Sequence, residues 1–405
     1  MEKLIGVGAA GNKAVISAIE NGYPRGCCLL INSTLKDIDE KYHDIAINIG
    51  GLRGGCGKER NVARKIALAS LNEDQTLQAL DSLPDDEDET IYLVTSTEGG
   101  TGSGATPLLA QYLYEVHGLN VVITAFTGFE DDARGLLNTI EFFRELSDKY
   151  VVQIISNKKA LGSGTNKLKA QEKANMEFVK RLQIITAKDV IDGDNNIDET
   201  DLFKVISTPG LMTVEHASIK GIKNIDQFNE IVSSMIDNSL TVDYYDPGAQ
   251  RIAIYLDIEK RTLDVIDFDY NIIKNKLGIP FEIFQHIQHR NKVDETISVI
   301  STGMNMPLNE MESIYDKYMK NISIINKKSD DFFDKLDGLT DESSNRFNTA
   351  RRRRGINTTK KSEFFEQIAA TEEEDDIEII DIRDSIENNR SEFLKTQITE
   401  DSEEV

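Results

Sequence analysis

The sequence predicts an α/β protein: a parallel-sheet domain, a long central helix, a smaller α/β domain, and then a C-terminal helix and a disordered tail. In the first 160 or so residues, short apolar runs alternate with helical patterns, which is typical of a parallel sheet covered by helices. From about Lys167 to Ala187, apolar residues recur at helical spacing without proline, which predicts one long helix. The strand-like runs are LIGV, CCLLIN, IAINIG, TIYLVTS, VVITAF and VVQIIS.

Beyond the long helix, an acidic loop and a short helix near Leu202 come before a second group of strand-like runs. These runs cover Arg251 to Ile258, Leu263 to Phe268 and Thr296 to Thr302. Residues from 340 onward are dominated by Ser, Asn, Glu, Asp and Arg, so we expect them to be disordered. The predicted divisions are 1–166, 167–188 for the central helix, 189–304, 305–339 for the C-terminal helix and 340–405 for the tail.

Composition narrows the class of protein. A chain of 405 residues has room for two domains and a tail. A net charge of -24 disfavours non-specific binding of nucleic acid by the whole body. Three cysteines without metal-ligand spacing indicate a reducing compartment, and no apolar run approaches the ~20 residues of a membrane span. We therefore expect a cytoplasmic protein without a membrane partner.

A first glycine-rich element, Gly6-Val7-Gly8-Ala9-Ala10-Gly11, joins a strand to a helix and fits G-x-G-x-x-G. A dinucleotide site would need an acidic residue about 20 positions further on, where this chain has Asn32-Ser33. A Walker-type loop is also absent, because Gly57-Lys58 lacks the upstream glycine and is followed by Glu59. The element therefore predicts phosphate binding of another kind.

A second element, Gly99-Gly100-Thr101-Gly102-Ser103-Gly104, follows the strand TIYLVTS and leads into a helix expected to begin near Pro107. Glycines allow consecutive backbone N–H groups to converge on a phosphate, and the start of a helix adds partial positive charge. Thr101 and Ser103 could add hydroxyl donors. The element predicts a phosphate-binding loop.

These elements resemble the loops of the tubulin/FtsZ superfamily and occur in the same order. The resemblance implies binding of GTP with Mg²⁺ and adds Phe129-Glu130 with Arg134 near the ribose, and Asn157 and Asn175 at the base. No residue is assigned as a metal ligand. The implied nucleotide-binding residues are Gly8, Ala9, Ala10, Gly11, Asn12, Asn32, Gly54, Gly55, Cys56, Gly57, Gly99, Gly100, Thr101, Gly102, Ser103, Gly104, Glu130, Arg134, Asn157 and Asn175.

Two positions depart from the family pattern. Glu98 stands where the first glycine of a triple is usual, and Lys13 replaces an asparagine. A carboxylate beside phosphates would repel them unless it points away or helps to hold Mg²⁺ through water.

In the superfamily, an acidic loop of one subunit enters the nucleotide pocket of the next and positions the attacking water. The segment Thr208 to Ile219 is similar to the family pattern P-G-L-I-N-V-D-x-x-D, which makes Glu215 the expected catalytic carboxylate. Asn224-Ile225-Asp226 is a rival N-x-D match. The acidic loop Asp192 to Asp198 lacks the glycine and the glutamate of an EF-hand, so we expect a solvated loop there.

The resemblance implies GTP hydrolysis activated by head-to-tail self-assembly into a filament. The basic cluster Arg351 to Arg354 with Lys360-Lys361, followed by acidic residues 372–376, is similar to the tail of the TubZ subfamily, which moves plasmid or phage DNA. This similarity implies a DNA-binding adaptor and indirect DNA contact. A division or phage-centring cytoskeletal role is the alternative, and a dinucleotide enzyme is a third hypothesis.

Overall fold

A computed structural model describes residues 3–50, 54–71, 90–146, 148–186, 196–241, 243, 248–264, 266, 268–290 and 294–325. The chain divides into two units, residues 1–322 and 323–405. Of the second unit, only residues 323–325 are described, and they are helical. The predicted tail from residue 340, with its arginine cluster, therefore lies outside the described residues.

One ten-stranded sheet organises the first unit, in the order β3-β2-β1-β4-β5-β6-β7-β10-β8-β9. The strands are β1 (Lys3–Val7), β2 (Cys28–Asn32), β3 (Ala46–Asn48), β4 (Thr90–Ser96), β5 (Asn120–Thr127), β6 (Val151–Ser156), β7 (Gly210–Ser218), β8 (Arg251–Glu259), β9 (Glu282–Arg290) and β10 (Thr296–Met304). All neighbours are parallel except β10, which is antiparallel to both β7 and β8.

Helices cover both faces of this sheet, as expected where parallel strands are buried. They are α1 (Gly8–Glu20), α2 (Arg60–Leu71), α3 (Gly100–Glu115), α4 (Ala133–Glu145), α5 (Asn157–Leu161), α6 (Lys167–Ile185), α7 (Glu199–Ile206), α8 (Ile225–Asp237), α9 (Lys260–Leu263), α10 (Asn271–Leu277) and α11 (308–325). None of the helices in the described ranges combines the length and apolar character that a membrane-spanning helix needs.

Strand direction defines two edges of the sheet. We call the upper edge the one at which β1 to β9 end, and the lower edge the one at which they begin, since β10 alone runs the other way. Loops that bind ligands in parallel sheets lie at the carboxyl ends of the strands, which is the upper edge here. The strands separate the two edges by roughly 20 Å.

Apolar cores lie on both faces of the sheet. On one face, α6 packs beside α1 through small residues, Ala170 and Ala174 against Ala14 and Ala18. On the other face, α8 and α10 pack through Phe228 and other apolar side chains onto the second half of the sheet. The predicted α/β fold with a long central helix is therefore confirmed.

Three local predictions were wrong. The described residues between 263 and 268 do not form a strand. Strand β8 is followed directly by the helical turn α9, which ends at Leu263. The alternating segment Glu282–Arg290 was missed and forms β9 beside β8. The segment around Glu215, expected to be a loop, is strand β7.

Candidate nucleotide site at the upper edge

The two glycine-rich elements meet at the upper edge, because β1 and β4 are neighbouring strands. Gly8 begins α1 with φ +76°, a conformation that favours glycine. A methyl group on Gly8 would lie 2.8 Å from Gly102 N, and one on Gly11 would lie 2.0 Å from Val94 O. These positions need glycine because backbone segments come into direct contact there.

The second element is helical, which corrects the expectation of a loop. Helix α3 begins at Gly100, with Gly99 as its N-cap, and contains Pro107 in its interior. A methyl group would lie 3.1 Å from Lys58 Cα at Gly100 and 2.5 Å from Arg60 O at Gly104. The glycines let residues 58–60 pack directly on α3, while the free N–H groups of its first turn still face the upper edge.

The two hydroxyls that were expected to reach a phosphate already have partners. Thr101 Oγ1 lies 2.8 Å from Ser33 Oγ, which joins α3 to the end of β2. Ser103 Oγ donates to Gly99 O and is fully buried. We therefore expect backbone N–H groups to supply most of the donors.

The third loop, residues 54–57, lies beside these elements and leaves space open. A methyl group on Gly54 or Gly57 would meet no atom of the described residues within 4 Å. A methyl group on Gly55 would lie 3.8 Å from Ser33 Oγ. Cys56 is buried, so it anchors the loop while the glycine backbone faces open space.

Sequence analysis missed Asn138 of α4, which ties two loops together. Its Nδ2 donates to Lys58 O at 3.0 Å and to Glu98 O at 3.1 Å, and the residue is buried. One amide therefore fixes the third loop relative to the segment before α3. Only the long-range packing of α4 brings it there, so no local signal marks it.

Two predicted asparagines are buried at the ends of strands. Asn12 Nδ2 donates to Ile31 O at 3.3 Å, whereas its Oδ1 has no hydrogen-bond partner among the described residues. Asn32 Nδ2 donates to Asp37 Oδ2 at 3.4 Å, and its Oδ1 accepts from Ser33 N at 2.9 Å. The side-chain oxygen of Asn12 is thus an acceptor that a ligand could use.

Glu98 points away from the space between the glycine loops. Its Oε1 accepts from Glu130 N at 2.9 Å, and a methyl group on Gly128 would lie 1.9 Å from its carboxyl carbon. Burial raises the pKa of the Glu98 carboxyl, while the hydrogen bond from Glu130 N opposes that shift. The Glu98 carboxylate packs into the loop after β5. Because it faces away from the proposed phosphate position, it should repel the phosphates less.

Glu130, predicted near the ribose, has φ +60° and is held by two lysines. Lys158 Nζ lies 2.9 Å from Oε1, and Lys317 Nζ of α11 lies 2.6 Å from Oε2. Burial acts to raise the pKa of Glu130, but these two lysines outweigh it and lower the pKa. Arg134 is half exposed and lies 3.5 Å from Glu59 Oε1.

The two residues predicted at the base are on α5 and α6. Asn157 is buried at the end of β6, where its Nδ2 donates to Thr127 O at 2.9 Å. Asn175 is half-buried in the middle of α6. The structure thus brings the phosphate loops, Glu130 and Asn157 to one edge of the sheet, and Asn175 lies on α6, which packs beside α1.

Glu215 is not in a loop at a surface. It lies inside β7, opposite Val299 of β10, and is 4 % exposed. Its Oε1 accepts from Ser239 Oγ at 2.5 Å and lies 3.7 Å from Arg181 of α6, which is 0 % exposed. Burial raises the pKa of Glu215 despite the opposing charge of Arg181. The Glu215 side chain is therefore almost fully covered, and it borders a cavity that Glu177, His216 and Ser239 also line.

The segment Asn196-Ile197-Asp198-Glu199-Thr200-Asp201 reproduces the N-x-D-x-x-D part of the family pattern, and sequence analysis passed over it as a solvated loop. Ile197 is buried, whereas Asn196 and Asp198 on either side of it are exposed. Asp198 is the N-cap of α7 and accepts from Asp201 N at 2.8 Å. The missed signal was the pattern itself, in the stretch of sequence between the long helix and α7.

The helix that this segment begins, α7, ends at the lower edge. Helix α7 ends beside the first residues of β5 and β8, since Asn120 Nδ2 donates to Ile206 O and Arg251 NH1 donates to Thr208 Oγ1. The glycine loops are at the opposite edge. The helix that follows Asp198 therefore ends at the edge of the sheet away from the phosphate loops.

Comparison with known proteins agrees with this architecture. No protein-family model matches the chain. The cell division protein FtsZ of Mycoplasmopsis pulmonis (strain UAB CTIP) is 27 % identical over 319 residues, which span 75 % of this chain and 77 % of that protein.

Two solved structures of TubZ proteins share the fold. TubZ of Clostridium botulinum phage c-st superimposes with a TM-score of 0.64 at 15 % identity, covering 80 % of this chain and 99 % of that one. A GTPγS-form protofilament of TubZ from Bacillus thuringiensis serovar israelensis gives a TM-score of 0.63 at 18 % identity, covering 82 % and 94 %. In its sheet order, its glycine elements and these similarities, the chain resembles proteins of the tubulin/FtsZ superfamily and shares their fold.

Proposed function

We propose that this protein binds GTP at the upper edge and hydrolyses it after assembling head to tail with further copies of itself. The nucleotide part of the proposal is supported by the packing of the glycine elements. Gly8, Gly102 and Gly100 bring three backbone segments within contact of one another, and Gly54 and Gly57 border space that no described residue fills. Such a set of backbone N–H groups suits a chain of phosphates.

Magnesium belongs to the proposal as a companion of the nucleotide. Among the described residues, no group of three or more acidic, histidine or cysteine side chains is arranged to hold a metal ion. We therefore expect the phosphates to supply most ligands of Mg²⁺, which neutralises charge during phosphoryl transfer. The protein side chains then orient the nucleotide and the attacking water.

The carrying observation is that Asp198 of the N-x-D-x-x-D segment is exposed and begins α7, a helix that ends at the edge opposite the phosphate loops. Roughly 20 Å of strand separates the two edges, which supports a site that one molecule does not complete by itself. A second molecule stacked on the first in the same orientation would bring Asp198 and Asp201 to the nucleotide. These carboxylates could then orient a water for attack, which is the main help that phosphoryl transfer needs.

Asp198 and Asp201 therefore replace Glu215 in the proposed mechanism. Asp198 is exposed, and Asp201 is only half-buried. The buried neighbour Ile197 anchors the segment to the core, so the backbone that carries the two acids has a fixed position. A solved neighbour described as a GTPγS-form protofilament supports assembly of this kind for the fold.

For the cellular role, we propose DNA segregation through a DNA-binding adaptor that recognises the C-terminal tail, in the cytoplasm. The support is the basic and acidic composition of residues 351–376 together with the fold shared with TubZ proteins. The sequence similarity to a cell division protein favours the alternative, a division or phage-centring cytoskeletal filament. We also propose the domain divisions predicted from the sequence, at residues 1–166, 167–188, 189–304, 305–339 and 340–405.

The shared site can be tested with Asp198→Asn and its matched control Glu199→Gln. Asparagine still caps a helix, so the first change removes a charge without unwinding α7. We expect Asp198→Asn to bind GTP and to sediment with it, while turnover falls by about a hundred-fold. Glu199→Gln, one residue away and also exposed, should hydrolyse GTP normally.

Turnover should also depend on protein concentration. Below the concentration at which polymer forms, GTP hydrolysis per molecule should fall close to zero. Full turnover by a monomer held below that concentration would refute the shared site. If Asp198→Asn and Asp201→Asn both kept wild-type activity, the catalytic role of these two acids would be refuted, but the shared site would not.

A further inference from the structure

Two large apolar side chains stand almost free of the protein at the lower edge. Ile279 is 88 % exposed and Phe281 is 86 % exposed. Single exposed apolar residues are common in soluble proteins. An isoleucine and a phenylalanine this exposed, two residues apart, are less easily explained, because their full apolar area stays in water. We call them the apolar edge pair.

The backbone under the apolar edge pair is well held. Gly278 N donates to Lys274 O at 2.9 Å, and Phe281 N donates to Gln250 O at 2.8 Å. Gly278 has φ +87°, and Pro280 lies between the two apolar residues. Proline limits backbone freedom, so the segment presents the pair in one arrangement before any partner arrives.

The apolar edge pair shares its edge with the end of α7, the helix that begins at the acidic segment. Phe281 directly precedes β9, and Glu282 Oε2 accepts from Arg251 Nε at 2.6 Å. Arg251 NH1 also donates to Thr208 Oγ1 at 2.7 Å, just after α7. Met306, 39 % exposed, follows the end of β10 at the same edge.

We infer that the apolar edge pair packs against the upper edge of a second copy of this chain. The inference rests on the proposed function, in which the lower edge that carries Asp198 and Asp201 meets the upper edge of a neighbour. The pair is continuous with that contact surface. An anionic membrane is disfavoured as the occupant, because Asp198, Glu199 and Asp201 at the same edge would be repelled.

The division of roles at this edge is then simple. The acids orient the attacking water, and the apolar edge pair supplies apolar surface that is buried from water on assembly. Apolar area buried at an interface strengthens association, whereas a nearly free side chain adds little to folding. Removing the pair should therefore weaken assembly and leave the monomer intact.

The test compares Ile279→Ser/Phe281→Ser with the conservative Ile279→Val/Phe281→Leu. In sedimentation with GTP, the serine variant should need at least about ten-fold more protein to form polymer. The conservative variant should assemble near the wild-type concentration. Both should keep the wild-type melting temperature and bind a fluorescent GTP analogue as monomers. A serine variant that assembles like wild type would overturn the inference.

Mixing experiments test the direction of the contact. The serine variant keeps an intact upper edge, so it should join the exposed lower edge of a wild-type filament and then offer no good surface to the next molecule. Small amounts should shorten wild-type filaments in electron micrographs. Filaments of unchanged length would count against a head-to-tail contact.

Protection of a single site gives a measurement that does not depend on loss of assembly. In Phe281→Cys, maleimide labelling at position 281, followed by mass spectrometry, should be fast in the monomer and slow in the polymer. Equal labelling of both overturns the inference. If wild type itself forms no polymer with GTP, the proposed function fails, and this outcome is distinct from polymer that labels freely.

Discussion

The carboxylate of Glu98 accepts a hydrogen bond from the backbone N–H of Glu130 at 2.9 Å, which links the segment before α3 to the loop after β5. Glu130 in turn binds Lys317 of α11 through its carboxylate. The acid that departs from the family's glycine pattern is therefore a structural tie between the phosphate and ribose sides of the proposed site. It also connects these loops to the last described helix.

Replacing Glu98 tests this tie. Glu98→Gln keeps an oxygen acceptor for Glu130 N and should bind GTP nearly as wild type does. Glu98→Ala leaves that N–H without its partner and frees the loop, so GTP affinity should fall by about ten-fold, the effect of about one lost hydrogen bond. Titration of a fluorescent GTP analogue measures both. Equal affinity of wild type and Glu98→Ala would show that the tie has no role in binding.

Gly128 should tolerate no side chain while Glu98 is present. A methyl group there would lie 1.9 Å from the Glu98 carboxyl carbon, so Gly128→Ala should destabilise the fold by about 1–3 kcal/mol. The double variant Gly128→Ala/Glu98→Gly should recover much of this loss. Urea denaturation of wild type, Gly128→Ala, Glu98→Gly and the double variant measures the coupling free energy between the two positions. Additive effects would contradict direct contact between the two positions.

Glu215 should matter for stability and not for chemistry. Glu215→Ala leaves Arg181 buried without one of its two nearby carboxylates, and we expect a loss of about 3 kcal/mol in the free energy of unfolding. Glu215→Gln, which can still accept from Ser239, should lose less. GTP turnover per assembled molecule should be retained by the folded fraction. Loss of turnover in a stable, assembling Glu215→Gln would restore a catalytic role.

Lowering the pH should remove the contribution of Glu177 to the stability of the fold. Burial acts to raise its pKa, but His216 and Arg181 outweigh burial and lower the pKa from 4.5 to about 2. A lowered pKa in the folded state stabilises the protein above pH 4.5, and this stabilisation is lost as pH falls toward 2. The difference in unfolding free energy between wild type and Glu177→Gln should shrink steadily between pH 5 and pH ~2. A constant difference across that range would contradict the assignment.

Removal of residues 340–405 tests the proposed cargo. Because the described contacts of the site lie before residue 326, the truncated protein should still assemble and hydrolyse GTP. Recruitment of an adaptor–DNA complex should be lost, as measured by co-sedimentation with filaments. Arg351 to Arg354 replaced by serine should reproduce much of the defect if their charge carries the contact. Unchanged recruitment would favour the cytoskeletal alternative.

Local sequence was sufficient for the elements whose signal is periodic or dense. The apolar runs of the first half became strands β1 to β6, and the pattern from Lys167 became the long helix α6. The glycine elements were found because backbone contact leaves no room for a side chain, so their composition is marked. Their helical start at Gly100 was not foreseen, since glycines that allow close packing resemble glycines of a loop.

Tertiary structure alone decided which acid faces outward. Glu215 and Asp198 both sit in segments that match the family pattern, and local sequence does not separate them. Strand β10, about 80 residues further along the chain, pairs with β7 and buries Glu215, while α7 ends at the lower edge and leaves Asp198 in solvent. Burial is a property of the whole sheet, because strand pairing joins segments that are distant in sequence.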